Sequence, residues 1–298
     1  MNKKSSYLFS LILSILFVFM LIASSAVLLF DINVSAKKLK DLAVKNELSS
    51  KIYTELSKYY AEKYNTTGIP ANVYTDAISE PYLQSYVEAY IDSAFNALEN
   101  DGKISVKYPE NKQLEENIEK FFNEFAEENN YQKDDNFELK LRNTKDGAYA
   151  TIGSYCDVYK FSAMSEHGIL PKLARVYSHR IIGTAAVLGF TLILVLLLIA
   201  ANRQKKITAM YWCGISILIS GILGGVPSIH LLATKYFDSF SIKQAPVFTA
   251  FTSIMYKFTE AFTAANIAYI VISISLIVTY AVIHDKKKYP KTKPTEIK

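Results

Sequence analysis

Four stretches of the chain are apolar and nearly free of charge: residues 7–30, 181–201, 207–232 and 261–283. A helix rises about 1.5 Å per residue, so about 20 residues cross the roughly 30 Å of bilayer hydrocarbon. Each stretch is long enough to span. Between the first two the pattern changes, and residues 31–180 mix apolar and charged positions at helical spacing, which predicts amphipathic helices in water.

From Lys38 to Tyr64 the apolar positions Leu39, Leu42, Ala43, Ile52, Tyr53, Leu56, Tyr59 and Tyr60 predict one helix, which can continue directly from the first span. Gly68 and Pro70 end it. Pro81 suits the first turn of a second helix that carries Tyr82, Leu83, Tyr86, Val87, Tyr90, Ile91, Ala94, Phe95 and Leu98. Asn100-Asp101-Gly102 stops that helix. A third is marked by Leu114, Ile118, Phe121, Phe122, Phe125 and Ala126 among glutamates.

Phe137, Leu139 and Leu141 then alternate as in a strand, and Asp146-Gly147 suits a hairpin turn. A lone hairpin is marginal in water, so the reading is a loop over 137–151 and then a fourth helix with Ile152, Tyr155, Cys156, Tyr159 and Met164. Gly168 and Pro171 punctuate its end, and Leu173, Val176 and Tyr177 lead into the second span.

The expected fold class is all-α: a four-helix transmembrane bundle with an extracytoplasmic helical bundle domain inserted between spans 1 and 2. Its order is a cytoplasmic N-terminus (1–6), span 1 (7–30), the extracytoplasmic domain (31–180), span 2 (181–201), a cytoplasmic loop (202–206), span 3 (207–232), an extracytoplasmic loop (233–260), span 4 (261–283) and a basic cytoplasmic tail (284–298). In the loop 233–260, the apolar run from Val247 to Met255 suits either an interfacial helix on the membrane surface or a cap on the outer bundle. The first span can also be read as a cleaved signal peptide, because Lys3 and Lys4 precede it and Val34-Ser35-Ala36 resembles a cleavage site. Signal-peptide apolar regions run about 7–15 residues, which favours an uncleaved anchor.

Charge sets the orientation. Lys3 and Lys4, then Arg203, Lys205 and Lys206, then Lys286, Lys287, Lys288, Lys291 and Lys293 all fall on one side of the four spans, and basic residues are retained in the cytoplasm. These pieces, with Lys298, hold 11 Lys and Arg against Asp285 and Glu296, a net +9, whereas residues 31–179 carry a net −6. The overall +5 therefore averages two opposite surfaces, and the basic pieces point to anionic lipid of the inner leaflet, with no nucleic acid implied. The expected localisation is the cell membrane, with both termini cytoplasmic. Cys156 and Cys213 lie in different segments and cannot pair, so the outer domain folds without disulfides.

No cofactor and no metal is expected. His167, His179, His230 and His284 lack metal-ligand spacing. A calcium loop centred on Gly102 fails because Ala97 and Tyr108 fall where carboxylates are required. No nucleophile elbow or phosphate-binding loop occurs, and the chain reads as a non-enzyme. No ionisable residue lies deep in a span, which disfavours ion translocation. Gly214, Ser216, Ser220, Gly221, Gly224, Gly225 and Pro227 predict that span 3 is the face on which the other spans pack.

The candidate interaction surface is aromatic. Tyr59, Tyr60, Tyr64, Tyr74 and Tyr82 gather around the turn Gly68-Ile69-Pro70, and tyrosine suits either a core whose hydroxyls reach water or a wet interface. The Tyr-rich helix after span 1, Gly68-Ile69-Pro70 with Val73-Tyr74 behind it, the Tyr159 helix and the proline-led entry to span 2 resemble a group of four-span membrane proteins of low-GC Gram-positive bacteria with a large helical first extracellular loop. The resemblance implies the architecture and carries no functional residues.

Two functional expectations follow. One is a scaffold, sensor or accessory protein of the bacterial envelope whose outer domain binds an envelope or protein partner, a second copy of the chain included. The other is a permease-like subunit, because one span, an outer domain and three spans is also the layout of FtsX-like ABC permeases. The cytoplasmic pieces at 1–6 and 202–206 are short for gripping an ATPase, which weighs against the second.

Overall fold

The computed structural model describes residues 3–100, 102–203 and 206–288, with side chains over 6–100, 102–203 and 207–285. Every regular element among them is helical. In order these are α1 (Lys3–Asn33), α2 (Ala36–Lys45), α3 (Leu48–Thr67), α4 (Asn72–Thr75), α5 (Glu80–Glu99), α6 (Lys112–Glu128), α7 (Asp135–Cys156), α8 (Phe161–Glu166), α9 (Ile169–Ser178), α10 (Arg180–Ala201), α11 (Lys206–Ala233) and α12 (Ala245–Lys288), with a 3₁₀ turn at Tyr236–Ser239. Four helices contain segments long and apolar enough to cross a membrane: Ser6–Asn33, Arg180–Ala201, Ile207–Ala233 and Ala245–Asp285. This is the composition of a multi-pass membrane protein.

The chain divides into two compact units. The first holds the residues up to Asn33, His179–Phe237 and those from Tyr256 onward. Leu13, Phe17 and Leu21 of α1 pack with Leu194 and Leu198 of α10 and Trp212 of α11. Hydroxyl pairs tie the helices together: Ser14 with Ser216 at 2.6 Å, Ser24 with Thr191 at 2.8 Å, Ser25 with Tyr269 at 2.7 Å, and Thr263 with Ser228 at 2.8 Å. Apolar matching against lipid supplies no net driving force between such helices, so close packing and these hydrogen bonds hold them. The glycines of α11 face α12, whereas α1 is the helix that packs on both α10 and α11. A Cβ at Gly214 would stand 2.9 Å from Ile277, and one at Gly221 would stand 2.8 Å from Ile270, so α11 and α12 meet nearly backbone to backbone. Pro227 lies within α11.

The second unit holds Val34–Ser178 and Asp238–Met255. Its core is built on α5, which packs against α2, α3, α7 and α9. Leu48, Ile52 and Leu56 of α3, Leu83, Tyr86 and Ile91 of α5, Leu114 and Ile118 of α6, Ile152 of α7 and Leu170 of α9 are all but sealed from solvent. Burying each aliphatic side chain of this set stabilises the fold by about 1.5–3 kcal/mol. Ala250 is fully buried in the same core, with Ile254 packed against it, and the Lys51 ammonium donates to the Thr249 hydroxyl at 3.2 Å. The start of α12 therefore packs on this bundle, as one of the two readings of that segment has it.

Helix starts follow capping chemistry. Ser35 accepts from the Lys38 N–H at 3.3 Å, Ser79 from Tyr82 N–H at 3.3 Å, and Asn111 from Leu114 N–H at 3.1 Å. Pro81 sits in the first turn of α5, and Gly68 closes α3 in the left-handed region at φ +69°.

Three expectations are corrected. The helix expected across Lys38 to Tyr64 is two helices, because Glu47 adopts a left-handed φ of +52° between α2 and α3; α2 is also separate from α1, since Ser35 caps it anew. Residues 137–151 form neither loop nor hairpin but lie within α7. The Asp134 carboxylate caps it, accepting from the Asn136 N–H at 3.1 Å and the Phe137 N–H at 2.9 Å. Phe137, Ala148, Ile152 and Cys156 form its buried face, whereas Leu139, the middle residue of the strand-like alternation, is 51% exposed. The single fourth helix expected through Met164 is likewise divided between α7 and α8, where the buried Asp157 carboxylate accepts from the N–H groups of Phe161 at 2.8 Å and Ser162 at 2.9 Å.

Among the basic residues that set the expected orientation, Lys205, Lys291 and Lys293, together with Lys298 and Glu296, lie outside the described residues. So do the side chains of Lys3, Lys4, Lys206 and Lys286, Lys287 and Lys288.

Candidate interaction surface

The turn Gly68-Ile69-Pro70 reverses the chain between α3 and α4, and the reversal brings Tyr60 and Tyr74 face to face with ring centroids 4.2 Å apart and planes 9° from parallel. Both rings are buried, as is Ile69. Tyr59 is half-buried, edge-on to Tyr60 at 5.4 Å and 5.7 Å from Tyr155. Tyr82 is half-buried and donates to the Pro109 carbonyl at 3.1 Å. Gly68 is exposed and Pro70 half-buried. Of the five tyrosines around this turn only Tyr64 is exposed, at 52%. The turn thus concentrates its aromatic residues, but their faces are spent mainly on one another and on the core.

The same packing reaches tyrosines that the sequence did not single out for this cluster. Tyr82 stands edge-on to Tyr86 at 5.4 Å, Tyr86 stacks on Tyr108 at 5.3 Å, and Tyr108 remains exposed. Burial pushes the hydroxyls of Tyr60, Tyr82, Tyr86, Tyr90 and Tyr159 well above the ordinary tyrosine range, and that of Tyr74 up to about 12. Burial also raises the Cys156 thiol, with the Asp157 carboxylate adding to it, which holds the sulfur protonated and unreactive.

A second aromatic surface lies on α6. Phe121 and Phe125 stack one helical turn apart with centroids at 6.4 Å, and Phe125 is 51% exposed. Glu128, also exposed, neighbours Phe125 three residues on along the helix. From Glu110 to Glu138 the segment holds ten carboxylates against Lys112, Lys120 and Lys133. Some are engaged: Lys145 pairs with Glu119, Lys133 with Glu127 at 3.5 Å, Lys120 with Glu124 at 3.9 Å, and the Tyr149 hydroxyl donates to Glu115 at 2.9 Å. Asp134 caps α7, and Glu110, Glu116, Glu128, Asp135 and Glu138 are exposed. Period-3.6 spacing gave the helix, but whether Phe125 faced core or solvent depended on what packs beside α6.

The four histidines are dispersed: His167 follows α8, His179 stands between α9 and α10, His230 is on α11, and His284 is 5.6 Å from the Tyr280 ring. Among the described residues no three His, Cys, Asp or Glu side chains gather as a metal site would require. No family model matches this chain, and no curated protein or solved structure matches it either.

Proposed function

We propose that this is a non-enzymatic multi-pass protein of the bacterial cell envelope whose helical second unit lies outside the cytoplasm and binds an envelope or protein partner in a scaffold, sensor or accessory role. The observation that carries the reading is the surface of α6, where the ring of Phe125, 51% exposed, stands one turn from the exposed Glu128 within an acidic segment. An aromatic anchor beside fixed negative charge is the chemistry of a recognition surface. Exposed Tyr64 at the end of α3 extends the same argument to the turn singled out by the sequence.

The orientation rests on the basic residues at the ends of the apolar stretches, which set both termini in the cytoplasm against anionic inner-leaflet lipid. The resemblance to four-span proteins of low-GC Gram-positive bacteria agrees with this arrangement.

Affinity purification of the tagged full-length protein in mild detergent after brief crosslinking, followed by mass spectrometry, tests the proposal. Recovery of envelope proteins, or of a second copy of the chain crosslinked through α6 or Tyr64, supports it. Stoichiometric recovery of a cytoplasmic ATPase overturns it in favour of a permease-like subunit with FtsX-like layout.

A further inference from the structure

We infer that the uncovered end of α6 takes a cationic amphipathic peptide segment, whose apolar side chains lie on Phe121 and Phe125 and whose Lys or Arg side chains meet Glu124 and Glu128. Leu114, Ile118, Phe121 and Phe125 stand at i, i+4, i+7 and i+11 of α6, and fall within about 60° of one another by the 100° advance per residue of an α-helix. They form one stripe, yet their burial declines along it: Leu114 and Ile118 are sealed from solvent, Phe121 is half-buried and Phe125 is 51% exposed. Phe125 thus points the way the core residues of α6 point, at the place where the core has run out. Two elements explain where the cover stops. α7 lies along the neighbouring row of the helix, where the Tyr149 hydroxyl donates to Glu115, Lys145 pairs with Glu119 and the Phe137 ring meets Phe122 at 5.9 Å. α4 packs on α6 as well, but its four residues come to about 6 Å against about 25 Å for α6. Just past α4, the Ala77 carbonyl accepts from Nδ2 of Asn111, the N-cap of α6, at 2.8 Å, which places α4 at the start of that helix. The far end of the stripe is left open, and Glu124 and Glu128, both exposed, border it on the side away from α7.

Charge selects what covers the open end. The segment from Glu110 to Glu138 carries ten carboxylates against three lysines. A second copy applied through the same face would set its own Glu124 and Glu128 against these, and anionic lipid headgroups would meet the same repulsion. A segment that carries Lys or Arg beside apolar side chains instead gains from the rings and from the carboxylates together. The contact between Lys120 and Glu124 at 3.9 Å is exposed on both sides and too weak to withhold Glu124 from such a partner. The inference rests on the reading of α6 as a recognition surface and adds to it the chemistry of the partner.

Fluorescence anisotropy tests it with the full-length protein in nanodiscs of zwitterionic phosphatidylcholine. The probe is a labelled peptide of leucine and lysine at amphipathic spacing, about 14 residues or about four turns long. A control peptide has glutamate in place of each lysine, and empty nanodiscs correct for binding to lipid. The lysine peptide is expected to bind about tenfold or more tighter than the glutamate peptide, to lose about tenfold or more with Phe125→Ser, and to lose about threefold or more with Glu128→Lys. Glu128 is exposed, so Glu128→Lys keeps the test decisive if Phe125→Ser fails to fold. Binding of neither peptide, binding that both substitutions leave unchanged, or equal binding of the glutamate peptide would overturn the inference. Crosslinking through α6 tests the recognition surface itself, so a partner captured there that lacks a cationic segment would sink this inference and leave that reading intact.

Discussion

Tyr60 and Tyr74 stack with ring centroids 4.2 Å apart, and the Gly68-Ile69-Pro70 turn is what allows α3 to present one ring to the other. Both rings are buried, so Tyr60→Ala or Tyr74→Ala is expected to cost about 3–5 kcal/mol. Tyr60→Phe behaves oppositely. The Tyr60 hydroxyl is buried and has no hydrogen-bond partner among the described residues, so its removal is expected to be neutral or stabilising. Thermal unfolding of the full-length protein in detergent, followed by circular dichroism, separates the two; a Tyr60→Phe variant as unstable as Tyr60→Ala would count against this packing.

The same tyrosines set an alkaline limit. In the unfolded chain the phenols ionise near their ordinary pKa of 10.0, whereas Tyr74 holds its proton up to about 12 and the more deeply buried Tyr60 beyond that. Above about pH 10 the unfolded state therefore binds fewer protons than the folded one, and stability falls as pH rises through that window. Below pH 10.0 these groups are protonated in both states and contribute no pH dependence. Monitoring phenolate absorbance together with helicity during alkaline titration checks this. Ionisation of the buried tyrosines is expected to coincide with loss of helix, and titration of all the tyrosines near 10.0 with helix retained would refute it.

In the first unit, a Cβ at Gly224 would come within 2.8 Å of the Asn266 side chain. Gly224→Ala is accordingly expected to destabilise the helix pair by about 1–3 kcal/mol through overpacking. Asn266→Ala in the same chain removes the obstacle, so the two changes should be non-additive, with a coupling of about 1 kcal/mol or more. A double-mutant cycle of thermal stability in detergent measures it, and strict additivity would place the two residues apart.

Gly102 combines a left-handed φ of +75° with direct apposition to Pro171. Gly102→Ala imposes both backbone strain and a clash with an inflexible ring, and the expected cost exceeds the roughly 1 kcal/mol of an ordinary glycine replacement at positive φ. Gly68 shares the left-handed conformation but has open space around it. Gly68→Ala should therefore cost less, and comparing the two melting temperatures isolates the steric part.

How much of this was legible in the sequence depends on the range of each interaction. The proline in the first turn of α5 and the glycine stop at Gly68 act within a few residues, and both are readable in the local pattern. The helix α7 was misread because Phe137, Leu139 and Leu141 fit a two-residue period as well as part of a helical one, and Asp146-Gly147 offered a turn that the chain does not use. What decides that ambiguity is the burial of Ala148, Ile152 and Cys156 against a core drawn from distant parts of the sequence, and of Phe137 against Phe122 of α6. At the candidate surface, the clustering of tyrosines near Gly68 was visible. Their orientation was not, since Tyr60 and Tyr64 sit one turn apart on the same helix and only packing buries the first and exposes the second.

By itself the sequence determined the four apolar spans, the amphipathic helices between the first two and the glycine face of α11, because each is a periodic or compositional property of a single segment. Tertiary structure alone decided that the start of α12 closes the core of the second unit, that Tyr60 and Tyr74 are spent on each other, and that Phe125 and Val176 are left at the surface. An apolar side chain carries the same tendency to leave water wherever it occurs, and only the positions of distant neighbours determine which of them are covered.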